Sequence, residues 1–415
     1  MSRHGREIFD VLTGQDFVSE GVGSFNTTPF QELLTTSFSP LIELDASNGL
    51  SLERRDTVTT TGSGSATAAN GEIVVSTGTT SGSTALLKTK ERGRYQPGIA
   101  ILPGIAVRIP TTPTGDGEIT WGYYDEEDGF QFGVDSTGVF VRHIHNGVNE
   151  DKVYQGDWNA NDQLDGNGPT GLTLDLTRMT IYRQPGIYYG GGPWEMVIKP
   201  NDQSNFKSRL ITIHRFGVPD GEPIVGNPKL PLTAEASNGT TTTDLTVAVG
   251  GRHVSVQGRY EPNRREVPET VVGVSCASGT TTPLLSFRKK SDRTSTTKSV
   301  KINGGSMRVT EAGFLKIYLN PTLTGASFGS LAEVPDDETA CEVDTSATAM
   351  SGGVLLESVA INAESGNPNQ TNISTEGIQA LGQDLPDGTP VTLAFDNIST
   401  SSATVDASFE VEEEW

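Results

Sequence analysis

Cysteine is nearly absent from this 415-residue chain: only Cys276 and Cys341 occur, 65 positions apart. Two thiols supply neither a framework of bridges nor a zinc cage, so both read as buried thiols, with a single disulfide as the alternative. Long apolar runs are missing too. No stretch approaches the ~20 residues that span a bilayer, and Met1-Ser-Arg-His-Gly-Arg-Glu lacks the apolar segment of a signal peptide. The expectation is neither membrane insertion nor classical secretion. Basic residues are in deficit, with 30 Lys+Arg against 52 Asp+Glu and a net charge of −22, which repels nucleic acid. No nucleophile elbow, P-loop, metalloprotease helix or phosphate-binding glycine fingerprint occurs, so no catalytic residue is nominated and the chain reads as a non-enzyme that requires no cofactor.

What the chain does have is small and β-prone: 48 Gly, 50 Thr and 35 Ser, with only 5 Met. Threonine suits a pleated surface, glycine and serine suit turns, and helix-rich chains draw on other residues. From Leu41 onward, short alternating bursts such as Glu118-Ile-Thr-Trp-Gly-Tyr-Tyr and Leu210-Ile-Thr-Ile-His are separated by Gly, Pro, Asp or Asn. That cadence predicts an all-β fold. Residues 1–38 read as an N-terminal docking arm with a short helix around Glu7 to Leu12. Residues 39–262 read as a large β-sandwich of jelly-roll type, and the Pro-rich joint from Arg259 to Pro268 leads into a second β-sandwich over 263–415. The Thr/Ser/Gly tracts at 57–69 and 77–84 read as long loops.

Charge is unevenly placed. Residues 317–415 hold 17 Asp/Glu and no Lys, Arg or His, whereas 263–316 hold 10 Lys/Arg against 4 Asp/Glu. Two explanations stand: complementary packing of subunits or strand layers, or a solvated basic rim. High acid content, with 19 Arg to 11 Lys, also resembles proteins of very salty cytoplasm, where screening over ~3 Å relieves charge repulsion.

Candidate sites are few. His143-Ile-His145 puts two imidazoles on one strand face, able to ligate a metal or shuttle a proton, or else simply two surface histidines. Asp157, Asn159, Asn161 and Asp165 resemble the opening of a calcium loop, but position six is Asp162 rather than Gly and position twelve is Gly168 rather than Glu. Loosely held Ca, Mg, Na or K is the most this stretch offers, and a solvated turn the plainer alternative. Paired carboxylates near aromatics, such as Asp125, Glu127 or Asp157, fit a glycan hydrolase or lyase. They equally fit a sugar-binding groove. Tyr188, Tyr189 and Trp194, in Tyr188-Tyr-Gly-Gly-Gly-Pro-Trp194, are the candidate glycan contacts, with a core position or a strand bend as the weightier alternative.

Three strings stand out: Lys90-Glu-Arg-Gly-Arg-Tyr-Gln-Pro-Gly-Ile-Ala, Trp121-Gly-Tyr-Tyr-Asp-Glu-Glu-Asp-Gly-Phe-Gln-Phe and Gln155-Gly-Asp-Trp-Asn. With Asn227-Pro-Lys-Leu-Pro-Leu, Asn320-Pro-Thr-Leu-Thr-Gly-Ala-Ser-Phe and the acidic end at Trp415, they resemble a family of tailed-virus particle proteins over residues 85–415. The resemblance implies a virion structural protein with a lectin-like sandwich, placed as vertex turret, decoration or fibre. It further implies a homo-oligomer bound to capsid, portal, neck or tail proteins and touching a host glycan or surface-layer protein. The Lys- and Arg-free last 99 residues fit a virus of halophilic archaea. A cellular carbohydrate-binding module is the alternative reading. The acidic terminal segment predicts partial unfolding when salt falls from molar to about 50 mM, because repulsion then reaches ~10 Å or more. Circular dichroism and oligomer size unchanged across that range would refute it.

Overall fold

The computed structural model describes residues 38–52, 54–160, 162–200, 210–261, 263–292, 298–332, 334–361, 369–373 and 385–414. The expected arm and its short helix fall outside the described residues, Phe38 excepted. Among those described, regular structure is strand apart from three short 3-10 turns. The chain forms two compact units. One comprises Met1–Asn48, Thr60–Ala85 and Gly93–Tyr260, and the other Gly49–Thr59, Leu86–Arg92 and Glu261–Trp415.

The strands, in chain order, begin with β1 (Phe38–Leu44), β2 (Asp56–Thr61), β3 (Ser65–Ala69), β4 (Glu72–Ser76), β5 (Thr84–Thr89), β6 (Ile101–Arg108), β7 (Glu118–Tyr124) and β8 (Gly129–Asp135). They continue with β9 (Val139–His145), β10 (Val148–Tyr154), β11 (Thr180–Arg183), β12 (Trp194–Lys199), β13 (Ile211–Phe216), β14 (Leu232–Ser237) and β15 (Thr246–Gln257). An eight-stranded sheet in the first unit runs β13-β12-β11-β6-β15-β4-β3, with β1 added along β15. The facing sheet has seven strands, of which β10-β9-β8-β7-β14 lie wholly in this unit. Consecutive strands cross between the layers, β6 to β7 and β14 to β15, in the manner of a jelly roll.

Aromatic rings from alternating positions join the layers. Trp121 of β7 packs edge-on to Tyr182 of β11 with centroids 5.0 Å apart, and Phe130 of β8 stacks on Trp194 of β12 at 4.6 Å. All four are buried to within 1% of full coverage, and such rings dominate the energetics of a thin core. The Thr/Ser tract at 57–69 is not a loop: it forms most of β2 and all of β3, each ending its sheet. β-branched threonine suits the pleat there, and an edge strand tolerates polar side chains on both faces.

The second unit pairs a four-stranded sheet with a five-stranded one. β16 (Arg264–Cys276), β17 (Thr281–Lys289), β18 (Ser299–Val309), β19 (Gly313–Leu319), β20 (Thr322–Thr324) and β21 (Cys341–Asp344) come first. β22 (Ala349–Ser351), β23 (Val354–Ile361), β24 (Asn369–Ile373), β25 (Pro390–Asn397) and β26 (Ala403–Glu414) complete it. The sheet orders are β16-β26-β18-β24 and β21-β17-β25-β19-β23, with a small β20-β22 ladder. Phe287 and Phe409 meet across them at 5.7 Å. Cys276 and Cys341 are buried, free thiols.

The uneven charge resolves into neighbouring strands. The acidic β26 lies between β16 and β18, and Lys301 of β18 binds Glu414 at 2.6 Å while Arg264 of β16 reaches Glu412 at 3.5 Å. Lys316 pairs with Asp396 at 2.6 Å, Lys290 with Asp336 at 2.9 Å, and Arg288 with Glu342. Complementary strand packing, rather than a basic rim left to solvent, accounts for these residues.

Turns rely on carboxylates. Asp116 takes the amide and hydroxyl of Thr240, and Asp165 the amide of Asn167. Asp175 takes the hydroxyl and amide of Thr177. These bonds hold all three carboxyls below their ordinary value of 3.8. A depressed carboxyl favours the fold above its unfolded value, and that contribution is lost as pH falls through the lower folded value. Acid unfolding is therefore expected to begin below about pH 4, with melting temperature flat above it. A triple Asp→Asn variant at these positions should show a shallower acid limb in pH-dependent melting curves.

Candidate functional site

One end of the first sandwich gathers four connections. They are the β7–β8 turn at Asp125–Asp128, the β9–β10 hairpin at Asn146–Gly147, the β11–β12 loop over 184–193 and the β13–β14 loop over 217–231. The hairpin is a two-residue Asn-Gly turn with φ of 49° and 76°, the backbone such turns require. It sets His145 at the strand's last position, facing the same way as His143.

Asp128 is the node. Its carboxylate is fully buried and accepts the amides of Gly226 at 2.8 Å and Asn227 at 3.1 Å, so the long β13–β14 loop is tied to the β7–β8 turn. His145 Nδ1 stands 3.4 Å from Asp128, and its Nε2 lies 3.3 Å from Glu222 and 2.9 Å from the Asn146 amide. His143 Nε2 donates to Ile224 O at 2.5 Å while its ring stacks on Phe130 at 5.1 Å. The two histidines share a face as expected, but they are buried rather than surface groups. They brace a loop.

The β11–β12 loop is held as firmly. Tyr188 donates its hydroxyl to Val225 O at 2.9 Å and meets Tyr95 edge-on at 5.4 Å. Tyr95 in turn accepts the Tyr189 amide at 3.0 Å, and Ile224 N reaches Gly190 O at 3.2 Å. Burial raises both phenols, Tyr188 further through Asp128 and Tyr95. A side chain at Gly192 would stand 1.7 Å from Ile187 O, which explains glycine in this tight reversal. Tyr189 is then presented outward, 62% exposed, at φ 40°, a conformation bulky residues rarely adopt.

Of the glycan contacts expected from sequence, Tyr188 and Tyr189 are at this end. Trp194 is not a contact: it is fully buried between Tyr123 and Phe130, because its position on β12 points into the sandwich. The calcium-loop residues do not converge. Asp157 is exposed on a 3-10 turn, and Asn159 spends its side chain on both backbone groups of Arg215. Asp165 caps Asn167, and Asn161 lies outside the described residues. Asp162 organises that loop instead, accepting the amides of Leu164 and Thr170 at 2.9 Å each. Among the described residues no group of three His, Cys, Asp or Glu is placed to hold a metal ion. Asp125 is committed as well, accepting the amides of Glu127 and Asp128 at 3.0 Å. Sequence reasoning missed Tyr95 and Glu222, which no local pattern ties to residues about 90 and 80 positions away in the chain.

No family model matches the chain, and neither does any curated protein. Among solved structures, the chain is similar to the Emp47p carbohydrate recognition domain at 13% identity, covering 49% of this chain and 89% of that one, with a TM-score of 0.30. A legume lectin-like domain from Entamoeba histolytica shows 13% identity, coverage of 50% and 91%, and a TM-score of 0.30. The cellulose-induced protein Cip1 shows 12% identity, coverage of 52% and 96%, and a TM-score of 0.30.

Replacing Asp128 with Asn sets a donor against the Gly226 amide and costs about 1–3 kcal/mol of local stability. Hydrogen exchange at Gly226 and Asn227 is expected to accelerate roughly tenfold or more while β7 and β8 stay protected. Unchanged exchange would mean that another contact holds the loop.

Proposed function

We propose that the chain is a non-catalytic carbohydrate-binding protein displayed on a tailed-virus particle, with the Tyr189 end of its first sandwich as the glycan contact. The observation that carries the glycan reading is the held, outward Tyr189. Its amide is bound to the buried Tyr95 and its backbone keeps a strained φ of 40°. A backbone held before binding loses little entropy when the exposed ring meets the apolar face of a sugar, and the ring's hydroxyl adds a hydrogen-bonding group. Glu222 and Asn146, at the same end of the sandwich, add polar groups suited to sugar hydroxyls. The catalytic alternative loses support because Asp125 is used as a turn acceptor.

The particle setting is supported by the strings at Lys90, Trp121, Gln155, Asn227 and Asn320. A homo-oligomer anchored through residues 1–40 suits such a role, since several weak glycan contacts add through avidity.

A glycan array probed with the full chain is expected to give binding that Tyr189→Ala weakens by roughly tenfold or more, about 1.4 kcal/mol, at unchanged melting temperature. Equal binding by the variant would remove the Tyr189 end from the contact. Mass spectrometry of purified particles should find this chain, and its absence would end the virion reading.

A further inference from the structure

The two ring nitrogens of His145 each meet a carboxylate. Nδ1 lies 3.4 Å from the fully buried Asp128, and Nε2 lies 3.3 Å from Glu222, which is half exposed on the β13–β14 loop. Neither contact is a formed hydrogen bond, and Nδ1 is a buried nitrogen without one. Asn146 places the proton of the neutral ring. Its side-chain amide donates to Nε2 at 2.9 Å, so Nε2 is the acceptor and the proton sits on Nδ1, toward Asp128. Glu222 then faces a lone pair, which it cannot bond. A second proton reverses that sign. An imidazolium donates from both nitrogens, so Asp128 and Glu222 each gain a charge-assisted bond, and histidine is the side chain that changes charge between about pH 5 and 8.

The other groups around the ring do not oppose this. His143, with its ring 6.3 Å away on the same strand, donates Nε2–H to Ile224 O and does so in either charge state. Glu127 of the β7–β8 turn comes within 3.5 Å of the side-chain position at Gly147 and adds negative charge. Val148 of β10, the cross-strand partner of His145, is uncharged. Burial and Asp128 keep the Tyr188 phenol of the β11–β12 loop protonated.

Glu222 has leverage on the Tyr189 end. It precedes by two positions Ile224, whose amide reaches Gly190 O at 3.2 Å, and Val225 next to it receives the Tyr188 hydroxyl. Gly221, at φ 86° with nothing within 4 Å of its side-chain position, gives the segment a turning point.

We propose that His145 is a pH-operated clamp. Protonated, it pins Glu222 and with it the loop that steadies Tyr188 and Gly190, so the Tyr189 end takes glycan more tightly in mildly acidic solution than at neutral pH. The held loop binds the proton more strongly than the released loop, so its extra stability is present at low pH and lost as pH rises through the titration. Control of binding rests on the glycan reading of this end, whereas the clamp itself does not.

Hydrogen exchange of the full chain, compared as protection factors at about pH 5.5 and about pH 7.5, tests the clamp without any ligand. Protection at the Ile224 and Tyr189 amides should be at least about fivefold higher at the lower pH, with β7 unchanged. Glu222→Gln should flatten that difference, because a neutral amide can donate to the uncharged ring and accept from the charged one. The substitution is at a half-exposed position, and an unchanged melting temperature confirms the fold. A glycan array read at the two pH values should give stronger binding at the lower, and Glu222→Gln should remove the preference. Protection equal at both pH values, or still pH-dependent in Glu222→Gln, would overturn the clamp. A pH-dependent loop on a chain that binds no glycan at either pH would keep the clamp and remove the glycan reading alone, and equal glycan binding at both would overturn its control of the site.

Discussion

Where the described structure is nearly all strand, the amides of its turns have no ladder partner, and here aspartate carboxylates supply it. An antiparallel ladder satisfies amides only along its strands, while every reversal leaves donors that need an acceptor. Asp116, Asp165 and Asp175 do this at the surface. Asp162 and Asp128 do it in the interior, where a carboxylate is tolerated only because hydrogen bonds replace its water. Part of the acidity is thus an architectural component of the loops. The site at the end of the first sandwich inherits its rigidity from the same device, since Asp128 fixes the loop whose Val225 and Ile224 steady Tyr188 and Gly190.

In the second unit acidity takes a different form. Strand β26 carries Glu410, Glu412, Glu413 and Glu414 almost in succession, and like charges at that spacing repel unless cations stand across from them. Seven of the ten basic residues of 263–316 fall on β16, β17, β18 and β19, which brings Arg264 and Lys301 to either side of the acidic strand. Glu413 is completely buried, accepting the Thr339 hydroxyl at 2.6 Å and the Ala340 amide at 2.9 Å. The basic segment and the acidic segment are therefore one electrostatic design separated in sequence, and much of the −17 of the last 99 residues is neutralised within the unit.

Much of this was legible in the residues, for identifiable reasons. A period of two with Gly, Pro, Asp and Asn punctuation marks strands wherever one face is buried, and it finds most interior strands, though it passes over β5 and β14 and marks Leu172–Leu176, which is not a strand. The same rule failed at β2 and β3, because an edge strand of threonine and serine has no buried face to leave a pattern. Trp194 stays ambiguous in the sequence, between a contact and a core position, because glycines before an aromatic look alike whether the ring turns outward or inward. The register with β13 and the stack on Phe130 decide it, and both are long-range. Asn159 looked like a cation ligand because amide oxygens suit metals and backbone donors equally well. Only the position of Arg215, 56 residues on, distinguishes them.

The net charge and the Tyr189 contact bear on each other. An overall −22 repels an anionic glycan at long range, and at physiological salt the repulsion reaches ~8 Å. A neutral sugar stacked on Tyr189 is indifferent to that field, so an exposed aromatic is a suitable contact for so acidic a chain.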